Sequence, residues 1–355
     1  MPPTICVAMD SRTFLGLEPT HNPFRWKLPV TEGISTAGNF LFGGSGLGAA
    51  ISAMEGTSGR QCVWATAQYL SYAKPGEVLD IDVTIAVAGH QITQARAVCH
   101  VADREILTVN AALGDRPMEA SGQWEHMPAD VPPPEDCQER PHFSEMAGTI
   151  NDRLEERMVK ARPFEQLDGS VQGDGQTMLW ARLPDVITGV DATTLAILGD
   201  FVPMGIGQAL GARAGGNSLD NTLRVCRIVP TEWVLMDIRV HAVERGFGHG
   251  LVHMFAQDGT LLATASQSVI VRYWKRRHAG WRASRSRCES SSATCQEALA
   301  AAQSVSASGI SETTSTSTVR LRIPKYASDD PPAITMSTGT RVETVSDSLE
   351  ERTHL

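Results

Sequence analysis

Two stretches of the chain repeat one pattern of apolar and polar positions. Each opens with an apolar segment at helical spacing and continues as alternating runs broken by short turn signals. In the first stretch, Phe24-Arg25-Trp26-Lys27-Leu28 predicts a short strand. Gly43 to Met54, dense in Gly and Ala, predicts a helix able to pack closely under a sheet. Cys62 to Ala73, Val78 to Val87, Ile92 to Val101 and Ile106 to Leu113 predict strands. Lys74-Pro75-Gly76, Ala88-Gly89-His90 and Ala102-Asp103-Arg104 are the turns between them. Connections this short make neighbouring strands antiparallel, so the expected unit is a curved sheet wrapped around a central helix.

The second stretch follows the same order. Thr177 to Arg182 predicts a strand, and Asp191 is a candidate N-cap for a helix running through Leu195, Ile197, Leu198, Val202, Ile206 and Leu210. Pro203 predicts a kink or a second cap near Asp200. Strands are expected at Ser218 to Ile228, Trp233 to Val243, Gly250 to Ala256 and Leu261 to Trp274. The fold class is therefore α+β, as a duplicated helix-and-antiparallel-sheet unit.

The domains expected are residues 1–118, a linker at 119–160 containing Pro132-Pro133-Pro134 and an amphipathic run near Asn151 to Val159, a second unit at 161–274, and a tail at 275–355. The tail starts basic, turns Ser/Thr-rich, and is expected to be disordered because it carries little apolar surface to offset its chain entropy. With 355 residues and 42% hydrophobic content, the chain can build two cores. A net charge of −9 argues against a nucleic-acid partner. Seven cysteines without C-x-x-C spacing suggest a reducing compartment, with Cys62, Cys99 and Cys226 as buried thiols. Met1-Pro2-Pro3-Thr4-Ile5 lacks a basic leader, and no run approaches about 20 uninterrupted apolar residues. A cytoplasmic protein without a membrane span is expected. The final Thr353-His354-Leu355 is only a distant relative of a peroxisomal ending.

Several short motifs join this pattern: Phe42-Gly43-Gly44, Ser218-Leu219-Asp220-Asn221-Thr222, Glu232-Trp233-Val234-Leu235 and the run from Asp258-Gly259-Thr260 to Gln267. Together they resemble the TesB-type double hotdog acyl-CoA thioesterases, over roughly residues 15–274. The resemblance implies an acyl-CoA substrate, no cofactor or metal, and possible homo-oligomers through the hotdog sheets. It implies a catalytic set of Asp200, Ser218 and Gln267 that positions a water against the thioester. The chemistry suits these residue types: a carboxylate takes a proton from water, while a hydroxyl and an amide fix the water's orientation. The Gly43-Gly44 turn is a candidate to polarise the carbonyl through backbone N–H groups. Trp64, Tyr69, Phe201 and Met204 are candidates for an acyl tunnel between helix and sheet. Asn221 stands where many family members have His, a departure that bears on substrate orientation.

Aligning Asp103-Arg104-Glu105-Ile106-Leu107 with Asp258-Gly259-Thr260-Leu261-Leu262 places Gln267 opposite Ala112, and the first helix has no carboxylate to match Asp200. One site per chain is expected, in the second unit. Taken singly, Asp200 reads equally as a helix cap, Ser218 as a strand-start residue and Gln267 as part of a structural network; it is their agreement that points to chemistry. A hotdog hydratase would want His five residues after the helical Asp, where Gly205 stands. A non-catalytic acyl-binding module is the alternative of a different class. The G-x-G-x-x-A run at Gly44 lacks a downstream acid for a dinucleotide, and Leu47 breaks a serine-hydrolase elbow at Ser45. His241, His249 and His253 read as solvated strand residues rather than metal ligands.

Overall fold

The computed structural model describes residues 9–186 and 188–274. The expected disordered tail, 275–355, lies outside the described residues. Five strands of five or more residues belong to the first half: β1 (Arg25–Pro29), β2 (Cys62–Tyr69), β3 (Val78–Ala88), β4 (Ile92–Val101) and β5 (Arg104–Gly114). Seven follow: β6 (Glu155–Lys160), β7 (Gln176–Arg182), β8 (Ala214–Ser218), β9 (Asp220–Val225), β10 (Val234–Glu244), β11 (Phe247–Ala256) and β12 (Leu261–Tyr273). The helices are α1 (Ser11–Leu15), α2 (Gly43–Ser58), α3 (Ala192–Leu198) and α4 (Val202–Ala209).

With the two-residue strands Glu18–Pro19 and Gln138–Glu139 at its ends, these strands make one antiparallel sheet. Between those ends the order is β1-β3-β4-β5-β2-β9-β12-β11-β10-β7-β6, with β8 also paired to β12. The order reads alike from both directions about the β2–β9 junction, where Thr66 pairs with Thr222 and their hydroxyls lie 2.7 Å apart. Two wrapped sheets therefore meet edge to edge, which removes one exposed edge from each.

Alternation along the strands decides the faces. Ala65 and Ala67 on β2, Leu223 on β9, and Ala263 and Ala265 on β12 are buried against the helices, while Thr66, Thr222 and Ser266 face outward. The Gly/Ala-rich α2 is buried from Gly44 to Met54, as its composition predicts. Close approach is required at Gly44, where a Cβ would lie 2.8 Å from the Ala196 carbonyl oxygen on α3. The combined segment Ala192–Leu210 is long and apolar enough to cross a membrane, but 83% of its apolar window is buried inside the protein, as befits a core helix.

Three local expectations change. The stretch 119–160 is not solely linker: Gln138–Glu139 pairs with β6, and β6 pairs with β7 from Glu155↔Arg182 onward. The amphipathic run near Asn151 to Val159 is a short 3-10 turn leading into β6, where Glu156 and Met158 are buried in strand alternation. Cys62 and Cys99 are buried as expected, whereas Cys226 is exposed.

Candidate active site

The second-half helix breaks where its sequence suggests. Asp191 caps α3 by accepting from the Thr194 N–H at 2.8 Å, and α3 ends at Gly199. Chain then turns through Asp200 and Phe201 before α4 starts at Val202, with Pro203 in the first turn, where no backbone N–H is needed. Gly199 is required here: a Cβ would sit 2.9 Å from the Ala265 Cβ. The break leaves the Asp200 side chain pointing at the N-terminus of α2 rather than along a helix face.

Gln267, on the inward face of β12, ties this break to the sheet. Its Oε1 accepts from the Val202 N–H at 3.1 Å, satisfying one orphan donor of α4. Its Nε2 donates to Asp200 Oδ1 and, at 2.9 Å, to Ser218 Oγ. The Ser218 hydroxyl donates to the same Asp200 Oδ1 at 3.4 Å. Asp200 Oδ2 accepts from the Gly44 N–H at 2.6 Å. The three residues implied by the family resemblance thus share one hydrogen-bonded cluster, and the first half of the chain contributes a backbone donor to it.

Ser218 reaches this cluster through a bulge. It pairs with inward-facing Val269, while Thr222 pairs with outward-facing Ser266, so the five residues 218–222 oppose the four residues 266–269. The extra residue between β8 and β9 turns Ser218 inward; a regular strand would put it on the face of Thr222. Ser218 therefore ends a strand rather than starting one.

Asp200 is 6% exposed and Gln267 3%. Burial pushes the Asp200 carboxyl up to about 7, against the hydrogen bonds from Gln267, Gly44 and Ser218, which favour its charged form. A carboxylate poised there can accept a proton near neutral pH. Two helix N-termini, of α2 and α4, converge on the cluster and favour negative charge.

The other expected residues are distributed unequally. A methyl group at Gly43 would lie 2.7 Å from Asp200 Oδ2 and 3.1 Å from Tyr69 Oη, so Gly43 and Tyr69 border the carboxylate. Asn221 is fully buried on the inward face of β9. Phe201 is buried edge-on to Phe42, with ring centroids 6.4 Å apart, and Met204 packs on the same core. Trp64 is not brought to the site. It shares the outward face of β2 with Thr66 and Gln68 and pairs with Arg224, so it cannot line a tunnel between helix and sheet. Ser45, set aside in the sequence as a nucleophile, is buried here on α2 with a hydroxyl that finds no partner in the protein. Sequence reasoning missed the Val202 N–H; the Pro one residue later, marking a new helix start, was its only signal.

A cavity of about 940 Å³ opens between α3 and the loops around Pro184 and Pro230. It reaches Leu198, two residues from Asp200, but is not lined by Asp200, Ser218 or Gln267. Among the described residues no three His, Cys, Asp or Glu side chains are placed to hold a metal ion. His249 is hydrogen-bonded to Ser268, and burial pushes the half-buried His253 down.

No curated protein sequence matches the chain. The family model for the acyl-CoA thioesterase C-terminal domain matches residues 130–271. Among solved structures, a protein from Novosphingobium aromaticivorans assigned as a thioesterase is 30% identical, with 72% of this chain and 97% of that one covered at a TM-score of 0.63. The chain belongs to the TesB-type acyl-CoA thioesterase family. The fold is shared more widely: a hot dog protein from Alicyclobacillus acidocaldarius is 18% identical over 76% of this chain and all of the other, at a TM-score of 0.63. The acyl-CoA thioesterase II TesB2 of Mycobacterium marinum is 20% identical over 76% and 99% of the two chains, at a TM-score of 0.57.

The duplication within this TesB-type chain can now be placed in register. Gly44 and Asp200, which touch, are 156 positions apart, and so are Thr66 and Thr222, which also touch. Cys62 pairs with Leu113 as Ser218 pairs with Val269, at the same spacing and beside a bulge in each half. Gln267 therefore corresponds to Ala111, not Ala112. The one-residue correction matters because only Ala111 faces inward. Gly44, Cys62 and Ala111 stand in the first half where Asp200, Ser218 and Gln267 stand in the second.

Proposed function

We propose that this protein hydrolyses acyl-CoA thioesters to free acid and CoA by direct attack of water. Asp200 takes a proton from the water as its oxygen bonds to the thioester carbon. The tetrahedral intermediate then collapses, the C–S bond breaks, and the proton passes from Asp200 to the departing CoA sulfur. Gln267 and Ser218 hold the carboxylate and orient the water. One observation carries this reading: a buried carboxyl, poised near neutrality, held by an amide, a hydroxyl and a helix N–H. The hydratase alternative lacks its partner base. Position 205 is Gly, and even a Cβ there would lie 2.6 Å from Ile238, leaving no room for an imidazole.

The test is CoA release, followed with a free-thiol reagent, for the full chain on acyl-CoAs from short to long. Asp200→Asn and Gln267→Ala are expected to lose about 10²-fold or more in kcat. Turnover that survives both changes removes the site assignment. A wild-type protein that binds acyl-CoA without turnover is a binding module instead.

A further inference from the structure

The family resemblance assigns carbonyl polarisation to the Gly43-Gly44 turn. In the structure the Gly44 N–H is already committed to Asp200 Oδ2, at 2.6 Å. A thioester carbonyl in this site therefore needs donors besides the Gly44 N–H, because negative charge accumulates on its oxygen when water adds.

Unspent donors lie next to the carboxylate. Tyr69 Oη, at the end of β2, and Asn221 Nδ2 and Oδ1, on β9, are buried and make no hydrogen bond within the protein. Tyr69 and Asn221 come from the two strands that join the halves, and the Tyr69 N–H bonds the Leu219 carbonyl oxygen at 3.0 Å. The Asn221 amide lies close enough to the Tyr69 hydroxyl to favour its charged form, although the two do not meet at hydrogen-bond geometry, and the space of one methyl group at Gly43 separates that hydroxyl from Asp200. Buried polar groups are nearly always paired, so two neighbouring side chains beside this carboxylate, neither with a well-formed hydrogen bond, are placed to take a guest between them. Burial, and then the charge of Asp200, push the Tyr69 phenol well above its usual range. It remains a neutral O–H donor wherever Asp200 is ionised.

We propose that Tyr69 Oη–H and Asn221 Nδ2–H donate to the scissile thioester carbonyl oxygen and stabilise it as it becomes an oxyanion. The inference rests on the hydrolytic reading above. It makes Tyr69 and Asn221 catalytic residues that bind across the halves of the fold, opposite Asp200. Water enters from the carboxylate side, while the carbonyl oxygen is held from the β2–β9 side.

The experiment uses the full-length protein with Tyr69→Phe and Asn221→Leu. Each variant is expected to lower kcat about 10²-fold with KM changed less than about threefold, while the pH inflection stays near that of wild type. Melting temperature should hold or rise, because each variant removes a buried donor that had no partner. A structural hydrogen bond would behave oppositely, costing stability on removal. A second readout is the infrared carbonyl band of a bound ketone analogue, in which CH₂ replaces the thioester sulfur. The band should shift to lower frequency in wild type and return toward its solution value in Tyr69→Phe. Unchanged kcat in Tyr69→Phe, lost activity together with lost stability, or an unshifted carbonyl band in wild type each overturns the assignment while leaving hydrolysis intact. A wild-type protein that releases no CoA from any acyl-CoA overturns both.

Discussion

Replacing Asp200 by Asn removes one ionisable group from the buried cluster, and its effect on stability has a sign fixed by the carboxyl's environment. In the unfolded chain Asp200 loses its proton near its ordinary value of 3.8, whereas in the folded protein burial holds the proton to about 7. Between those two values the unfolded state binds fewer protons, so folding stability falls as pH rises. The slope approaches 1.36 kcal/mol per pH unit and flattens below about 4 and above about 7, a span of about 4 kcal/mol. Asn does not titrate, so the difference between wild type and variant isolates this one group while other titrations cancel. A second term is independent of pH. An Asn amide must place its NH₂ against either the Gly44 N–H or the Gln267 Nε2, and Gln267 cannot flip without releasing the Val202 N–H. That donor–donor contact costs about 1–3 kcal/mol at every pH. The variant should therefore be less stable than wild type near pH 4 and draw level or overtake it near pH 8, with activity lost throughout. Urea denaturation of both proteins from pH 4 to 8.5 measures the difference. A gap that stays flat across that range refutes burial as the origin of the raised carboxyl. The same group should appear in wild-type kcat/KM as a rise toward a plateau through about pH 7.

Gln267→Ala removes the donor shared by Asp200 and Ser218 and the acceptor that caps α4. Beyond its loss of rate it should cost about 1–3 kcal/mol of stability, read by urea denaturation. Gly44→Ala forces a Cβ to 2.8 Å from the Ala196 carbonyl oxygen and 2.9 Å from the Ile197 Cα, both backbone atoms that cannot step aside. It should destabilise by about 1–3 kcal/mol and reduce kcat as the Gly44 N–H leaves Asp200, with melting curves and CoA release as the two readouts. Arg140→Ala leaves Glu156, whose side chain is fully buried on β6, without the guanidinium it meets at 2.7 Å. A loss of about 3 kcal/mol with kcat unchanged is expected, which would separate the sheet's far edge from catalysis.

The repeat of helix and strands was legible because its two periodicities are strong in both halves, and burial alternates as the pattern requires. The helix break was legible too, since Pro203 can stand only near a helix start. What escaped depends on register. Trp64 has the size and polarity of a tunnel residue, and only its parity with Thr66 on β2 puts it outside. The same arithmetic misplaced the counterpart of Gln267 by one position, because the chain between the paired Phe255 and Leu261 is one residue longer than that between the paired His100 and Glu105. Ser218 faces the site only through a bulge, and no residue type in Asn217-Ser218-Leu219-Asp220 announces one. The β6 segment reads as linker because its apolar positions are few among charged ones, Glu155, Glu156, Arg157 and Lys160.

The duplication also explains why only one of the two equivalent positions, 44 and 200, carries a carboxylate. The axis between the halves passes beside positions 44 and 200, which lie within hydrogen-bond distance of each other. Two carboxylates at that separation, both cut off from water, could not both ionise. The pair is instead filled by unlike groups: a carboxylate that needs a donor and a backbone N–H that supplies one. Gly is the residue that allows the second, since any side chain at position 44 meets the backbone of α3. The site is thus asymmetric at its closest contact by electrostatics and by packing alike. The N-terminal half, with Gly44, Cys62 and Ala111 at the positions equivalent to Asp200, Ser218 and Gln267, presents the end of α2 to Asp200 and carries no matching cluster of its own.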